Sequence, residues 1–212
     1  MKRIFTIIFG CIAYMSSANA QEINEIIASM PNNIIVKLDQ TQKDLLISNP
    51  EDTTQLTVAL GAYGELKRLA ISNDFISLKT SEGGNTQIKL LPLINDSKII
   101  CVVKTVCGQE VCDSQIQFYT TKWIPIKGTT LFPDRNINWF VKEGVDRNSQ
   151  DFKNAFASVD MDPMKMTLSA NDLTLTVDFT IKAYLSEEDY KKVQPYLTEK
   201  PKVFLWDKIS FK

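Results

Sequence analysis

The chain has 212 residues, of which 44% are hydrophobic and 23% charged, and its net charge is −1. That balance suits a folded domain with ample chain for a core, and it lacks the basic excess that holds nucleic acid. No histidine is present, which excludes Ser-His-Asp and Cys-His catalysis and the His-bearing zinc sites.

The first element is a leader. Lys2 and Arg3 precede an apolar stretch from Ile4 to Tyr14, and Ala18-Asn19-Ala20 supplies a small-x-small site. This layout predicts a secretory signal over residues 1–20, cut after Ala20, with residues 21–212 forming one domain in the periplasm or outside the cell. Loss of Lys2 and Arg3 moves the net charge from −1 to −3. Gly10-Cys11 loosely resembles a lipoprotein acylation site, but bulky Phe9 and the apolar residues beyond Cys11 fit that route less well. No later stretch holds 18 continuous apolar residues, so no membrane span is expected in the mature chain.

Ile23, Ile26, Ile27 and Met30 fall at i, i+3, i+4 and i+7, one stripe of a short helix ended by Pro31. Asp39 and Gln42 make a capping box for a second helix reaching Ile47, with Leu45 and Leu46 expected to bury. The period then changes to two. Leu56, Val58 and Leu60 alternate with polar or small residues, and Glu65 to Ile71 reads as a second strand. Ile76, Leu78 and Thr80 share a face that Thr86, Ile88 and Leu90 repeat after Gly83-Gly84. Setting Thr80 opposite Thr86 places Leu78 against Ile88 and Ile76 against Leu90.

Ile99 to Val106 is apolar on both faces, as a strand covered on both sides would be, and it returns through Ile116 and Phe118 to Trp123. A helical turn is expected near Ile137 to Val141, and Ser149 can cap a helix carrying Phe152, Ala155 and Phe156. Met164, Met166 and Leu168 then alternate with polar neighbours. After Asn171-Asp172, Leu173, Leu175, Val177, Phe179 and Ile181 continue the alternation as a half-buried strand. Ser186 and Asp189 open a further helix, and a last strand is expected from Val203 to Phe211.

Strands follow strands through short turns, so pairing is antiparallel and the class is α+β: a broad antiparallel sheet with short helices packed on one face. Two halves, about residues 21–125 and 126–212, each open on helix and continue into strand, without a residue-level repeat.

Beyond the leader there are three cysteines. Placing Cys107 opposite Cys112 puts Val103 against Ile116 and Cys101 against Phe118, so hydrophobic register and disulfide geometry agree. In an oxidising compartment the pair forms a structural bridge. Two reduced thiols or a thiol-exchange pair are the other readings, and four intervening residues in a hairpin argue against exchange. Cys101 reads as a buried free thiol. Trp123, Trp139 and Trp206 either complete the core or line a ligand surface. Asp146, Asn148, Gln150 and Asp151 superficially suggest a calcium loop, yet Asp151 stands where glycine is required and Ala157 where the bidentate glutamate belongs. No catalytic constellation, cofactor motif or metal-ligand set is found.

Leu90-Leu91-Pro92-Leu93, the run from Ile100 to Trp123 and the run from Lys191 to Trp206, with the leader and short N-terminal helices, resemble an uncharacterised secreted family of the Bacteroidales catalogued as a domain of unknown function. The resemblance implies a Gram-negative envelope protein and brings no established site residues.

The leading expectation is a non-catalytic binding module that offers a sheet face or loop to an envelope protein or glycan, with an apolar or aromatic patch on that face. A histidine-free carboxylate hydrolase would need two acids converging in a cleft. A small-ligand carrier would need a closed apolar cavity of at least about 300 Å³.

Overall fold

A computed structural model describes residues 22–36, 38–48, 55–127 and 130–212. The leader, its cleavage point and Cys11 lie outside the described residues. Two short helices, α1 (Glu22–Ala28) and α2 (Gln40–Ile47), come first. Six strands follow: β1 (Leu56–Ala59), β2 (Glu65–Ile71), β3 (Phe75–Lys79), β4 (Gly84–Pro92), β5 (Lys98–Gly108) and β6 (Val111–Thr120). They form an antiparallel meander whose spatial order is the chain order. After a 3₁₀ turn at Ile137–Phe140 and helix α3 (Gln150–Ala155) come β7 (Met164–Leu168) and β8 (Thr174–Phe179). Helices α4 (Ile181–Tyr184) and α5 (Glu187–Val193) then lead to β9 (Lys202–Leu205). The class is α+β. The last three strands do not widen the meander; they make a separate antiparallel sheet, β7-β8-β9.

The large sheet is covered on both faces. One side meets α1 and α2 through Ile23, Ile26, Ile27, Met30 and Leu46, packed on Val58, Leu66, Ile76, Leu78, Ile88, Ile100 and Val102. Two polar anchors fix these helices. Arg68, 2% exposed, reaches from β2 to donate to the carbonyls of Leu46 at 2.7 Å and Ser48 at 2.8 Å, so a sheet cation satisfies the last turn of α2. The Trp123 indole N–H donates to the Ile26 carbonyl of α1 at 3.1 Å. Trp123 closes the three-residue turn after β6 with φ near 60°, a left-handed conformation that swings its ring beneath the helix. The capping box on α2 is present, with Gln42 N–H on Asp39 and Gln42 Oε1 accepting from Asp39 N–H. Leu45 does not bury as expected. It stands one 100° step from Leu46 and faces water at 48% exposure, while Lys43, one turn before Leu46, turns inward and donates to the Met30 carbonyl.

The other side of β4, β5 and β6 receives the small sheet. Leu91, Ile99, Cys101, Val103 and Phe118 pack with Met164, Met166, Leu168, Leu175, Val177, Phe204 and Trp206 in one apolar cluster. Strand β5 is therefore buried on both faces from Ile99 to Val103, but the expected two-sided cover does not extend to Val106, which is 69% exposed.

Three further expectations need correction. β3 and β4 pair with Leu78 opposite Thr86 and Ile76 opposite Ile88, two residues tighter than the hydrophobic match proposed. Gly83 and Gly84 explain the tightening. Gly84 already belongs to β4, and a Cβ on Gly83 would collide with the Cys107 carbonyl oxygen, which sits against that bare backbone. β8 ends at Phe179; Ile181 buries as the first residue of α4 and does not extend the strand. β9 ends at Leu205, and Phe211 returns after a turn to pair with Trp206.

Candidate functional site

Strand β7 is an edge strand, and its outward N–H groups at Met164, Met166 and Leu168 would be orphans where it lies on the large sheet. Three side chains accept them in turn: Asp113 at 3.1 Å, Ser114 at 2.8 Å and Gln87 at 2.9 Å. These substitute for a neighbouring strand and dock the small sheet by its edge. At the other end of the joint, the Thr180 hydroxyl accepts from Cys112 N–H and donates to the Cys112 carbonyl.

Docked this way, the small sheet turns its inner residues to the core, and its outer face is left uncovered by the described residues. Register places Lys165 beside Asp178, Thr176 between Thr167 and Val203, and Thr174 beside Leu205 on that face. Val203 is 54% and Leu205 56% exposed, and Ile209, in the turn beyond β9, is 54% exposed. The rest of the face is threonine, with one cross-strand Lys–Asp pair. Threonine and branched aliphatics suit a flat pleated surface, and here they meet solvent rather than a covering layer.

Cys107 and Cys112 are bonded at the tip of the β5–β6 hairpin and lie opposite each other, as the sequence predicts. Cys101 is a buried free thiol whose pKa burial pushes up, with the charge of Lys89 opposing. Lys89 itself is 1% exposed and pairs with Asp74 at 3.1 Å.

The three tryptophans are not brought to one surface. Trp123 lies under α1, while Trp206 is buried on the opposite side of the large sheet and donates to the Pro92 carbonyl at 2.7 Å. Trp139, partly buried, packs edge-on against Phe132 and Phe204.

Acidic groups converge around Arg135. Its guanidinium bonds Asp113 at 2.7 Å and the carbonyls of Ser114 and Asp162, with the Asp162 carboxylate 3.9 Å away. Burial raises the Asp113 pKa, but hydrogen bonds from Arg135, Met164 N–H and Ser114 N–H, with the Arg135 charge, hold it below the usual value. The cluster joins β6, the 131–136 loop and the entry to β7. Asp146 accepts from Asn148 N–H in a turn, and Ser149 caps α3. Glu187, Glu188 and Asp189 occupy the first turn of α5 and pair with Lys191 and Lys192. Among the described residues, no three His, Cys, Asp or Glu side chains are grouped to hold a metal ion, and no helix is long and apolar enough to cross a membrane. A groove of about 510 Å³ runs along the outer edge of β6 and opens to solvent.

The sequence offered two usable signals for this arrangement. Thr174 and Thr176 stand on the outward positions of a clean alternation. Gln87 and Ser114, on the faces of β4 and β6 that also carry Leu91, Ile116 and Phe118, mark the docking line.

The architecture is thus a helix-backed antiparallel meander carrying a second sheet with one open face. The chain belongs to the family described as a protein of unknown function (DUF3256), which matches residues 15–211. It is similar in fold and sequence to a solved domain of an uncharacterised protein from Porphyromonas gingivalis W83. The two are 27% identical with a TM-score of 0.79 over 90% of this chain and 96% of the other. No curated protein matches.

Proposed function

We propose that this protein is an exported, non-catalytic interaction module of the Gram-negative envelope, periplasmic or secreted after cleavage behind Ala20. It binds a partner protein through the outer face of β7-β8-β9. The observation that carries the reading is the pair of exposed aliphatics, Val203 and Leu205, set in a threonine-rich face that none of the described residues covers. The face carries no aromatic ring to stack on a sugar, so a protein surface fits it better than a glycan. The disulfide supports an oxidising compartment.

The test is affinity capture from envelope extract with wild-type protein and a Val203→Lys, Leu205→Lys variant, with partners read by mass spectrometry. Both substituted side chains are solvent-facing, so the variant should melt like wild type and lose a partner that wild type retains. Recovery of the same proteins by both overturns the reading. Intact mass of protein from the periplasmic fraction should correspond to a chain starting at Gln21; uncut protein in the cytosol overturns the export step.

A further inference from the structure

Beside β7, where the edge of the small sheet crosses the large one, an open cleft of about 390 Å³ reaches down to the large sheet. That volume lies within the roughly 300–1,000 Å³ of small-molecule sites. Its lining comes from β2, β3, the β3–β4 turn, β4, β5 and β7, all inside the described ranges. The floor is polar. Register sets Lys79 opposite Asn85 and Asn85 opposite Thr105 in one cross-strand row, and Ser77 opposite Gln87 in the next. Strand alternation turns these residues away from α1 and α2, because Ile76, Leu78 and Ile88 take the helix side. Ser77 and Thr105 are each 6% exposed, so they are not solvated surface side chains. Hydrogen-bonding capacity is left over on this floor. Gln87 spends Oε1 on Leu168 N–H, and its Nε2 has no partner among the described residues. The Ser77 hydroxyl accepts a 3.4 Å bond from Asn85 Nδ2, while its own proton and Asn85 Oδ1 have no partner among the described residues. Leu69 and Met166 supply apolar wall. At the rim stand Lys79 from the large sheet, Lys165 from the small one and Glu82, and none of the three makes an ion pair among the described residues.

We propose that this cleft binds a small organic carboxylate that carries an amide and a short aliphatic group, the chemistry of a peptide's free C-terminus. Two cations against one carboxylate at the rim favour an anion. The carboxamides of Asn85 and Gln87 and the Ser77 hydroxyl supply both donors and acceptors, which match the N–H and C=O of an amide. Leu69 and Met166 take the aliphatic group. Inorganic phosphate would use the lysines and leave the floor unmatched. A neutral sugar would leave both lysines uncompensated and would find no aromatic ring to stack on. The cleft shares only its rim residues Lys165 and Thr167 with the outer face of β7-β8-β9, and the substitutions at Val203 and Leu205 leave it intact, so either reading can fail alone.

The probes are acetyl-leucine and acetyl-Ala-Leu, each compared with its C-terminal amide and titrated to millimolar concentration against ¹⁵N-labelled protein. With the free carboxylates, the side-chain NH₂ signals of Asn85 and Gln87 should move and saturate, and the C-terminal amides should bind about tenfold more weakly. Tighter binding of the dipeptide assigns the cleft to a peptide end, and tighter binding of acetyl-leucine to a free acylated amino acid; both support the site. Lys79→Gln with Lys165→Gln, two exposed changes that leave the fold intact, should weaken binding about tenfold and flatten its salt dependence. Gln87→Glu keeps an oxygen for Leu168 N–H but puts a negative charge where the free donor stood. It should abolish binding while Leu168 stays protected from exchange, and the lysine variant tests the site independently of that joint. Four results overturn the proposal: unmoved Asn85 and Gln87 signals, equal affinity for acid and amide, undiminished binding by the lysine variant, or displacement of acetyl-leucine by equimolar inorganic phosphate.

Discussion

Ser114 concentrates the joint between the two sheets in one oxygen. It is 1% exposed, accepts from Met166 N–H at 2.8 Å and shares a 2.8 Å contact with the Thr105 hydroxyl. Ser114→Ala removes no apolar packing. It strands a buried amide, which costs about 1–3 kcal/mol, and breaks a hydroxyl pair worth about 0.5–1.5 kcal/mol. The expected loss is about 2–4 kcal/mol, or roughly 5–15 °C in melting temperature for a chain of this size. Thr105→Val should cost only about 1 kcal/mol, because Ser114 keeps its bond to Met166. The double variant should lose less than the sum, since the two hydroxyls are partners. Urea unfolding gives the energies, and hydrogen exchange at Met166 reports the amide directly. A Ser114→Ala loss below about 0.5 kcal/mol, or an unchanged Met166 exchange rate, would refute edge docking by side-chain acceptors.

Replacing Cys107 and Cys112 with serine opens a loop of about six residues and should lower stability by about 2 kcal/mol, seen as a shift in the urea midpoint matched by reductant on wild type. Native Cys101 should resist thiol reagents until the chain unfolds, because the group is wholly buried. Trp123→Phe should cost about 1 kcal/mol through loss of the bond to Ile26, with faster amide exchange confined to α1. The Asp113 carboxyl has a folded pKa below its unfolded value of 3.8, so it contributes stability above that value which is lost as pH falls through the lowered one. Arg135→Gln should therefore flatten the acid limb of the stability profile between about pH 5 and pH 2; an unchanged limb would show that this pair carries none of it.

Where a strand's identity depended on its own alternation, the sequence was readable. Met164–Leu168 and Thr174–Phe179 declare their faces residue by residue, and the two cysteines fixed the register of β5 on β6. The β3–β4 register was not readable in the same way. A slip of two residues keeps every side chain on its side, so the hydrophobic pattern is blind to it, and the decision rests on where Gly83 passes the Cys107 carbonyl. The division into two sheets was equally hidden. Period two states that a strand has a buried face and does not state what buries it. The bare aliphatics Val203 and Leu205 look like core residues in a string of letters, and only the docking geometry shows them facing outward.

The three acceptors that hold β7 stand at the pitch of the strand itself, meeting Met164, Met166 and Leu168. A shift of β7 by one residue would turn every donor away at once and present carbonyls to oxygens. The joint therefore works as a latch with a single seated position, and the small sheet should come off whole or stay, without sliding.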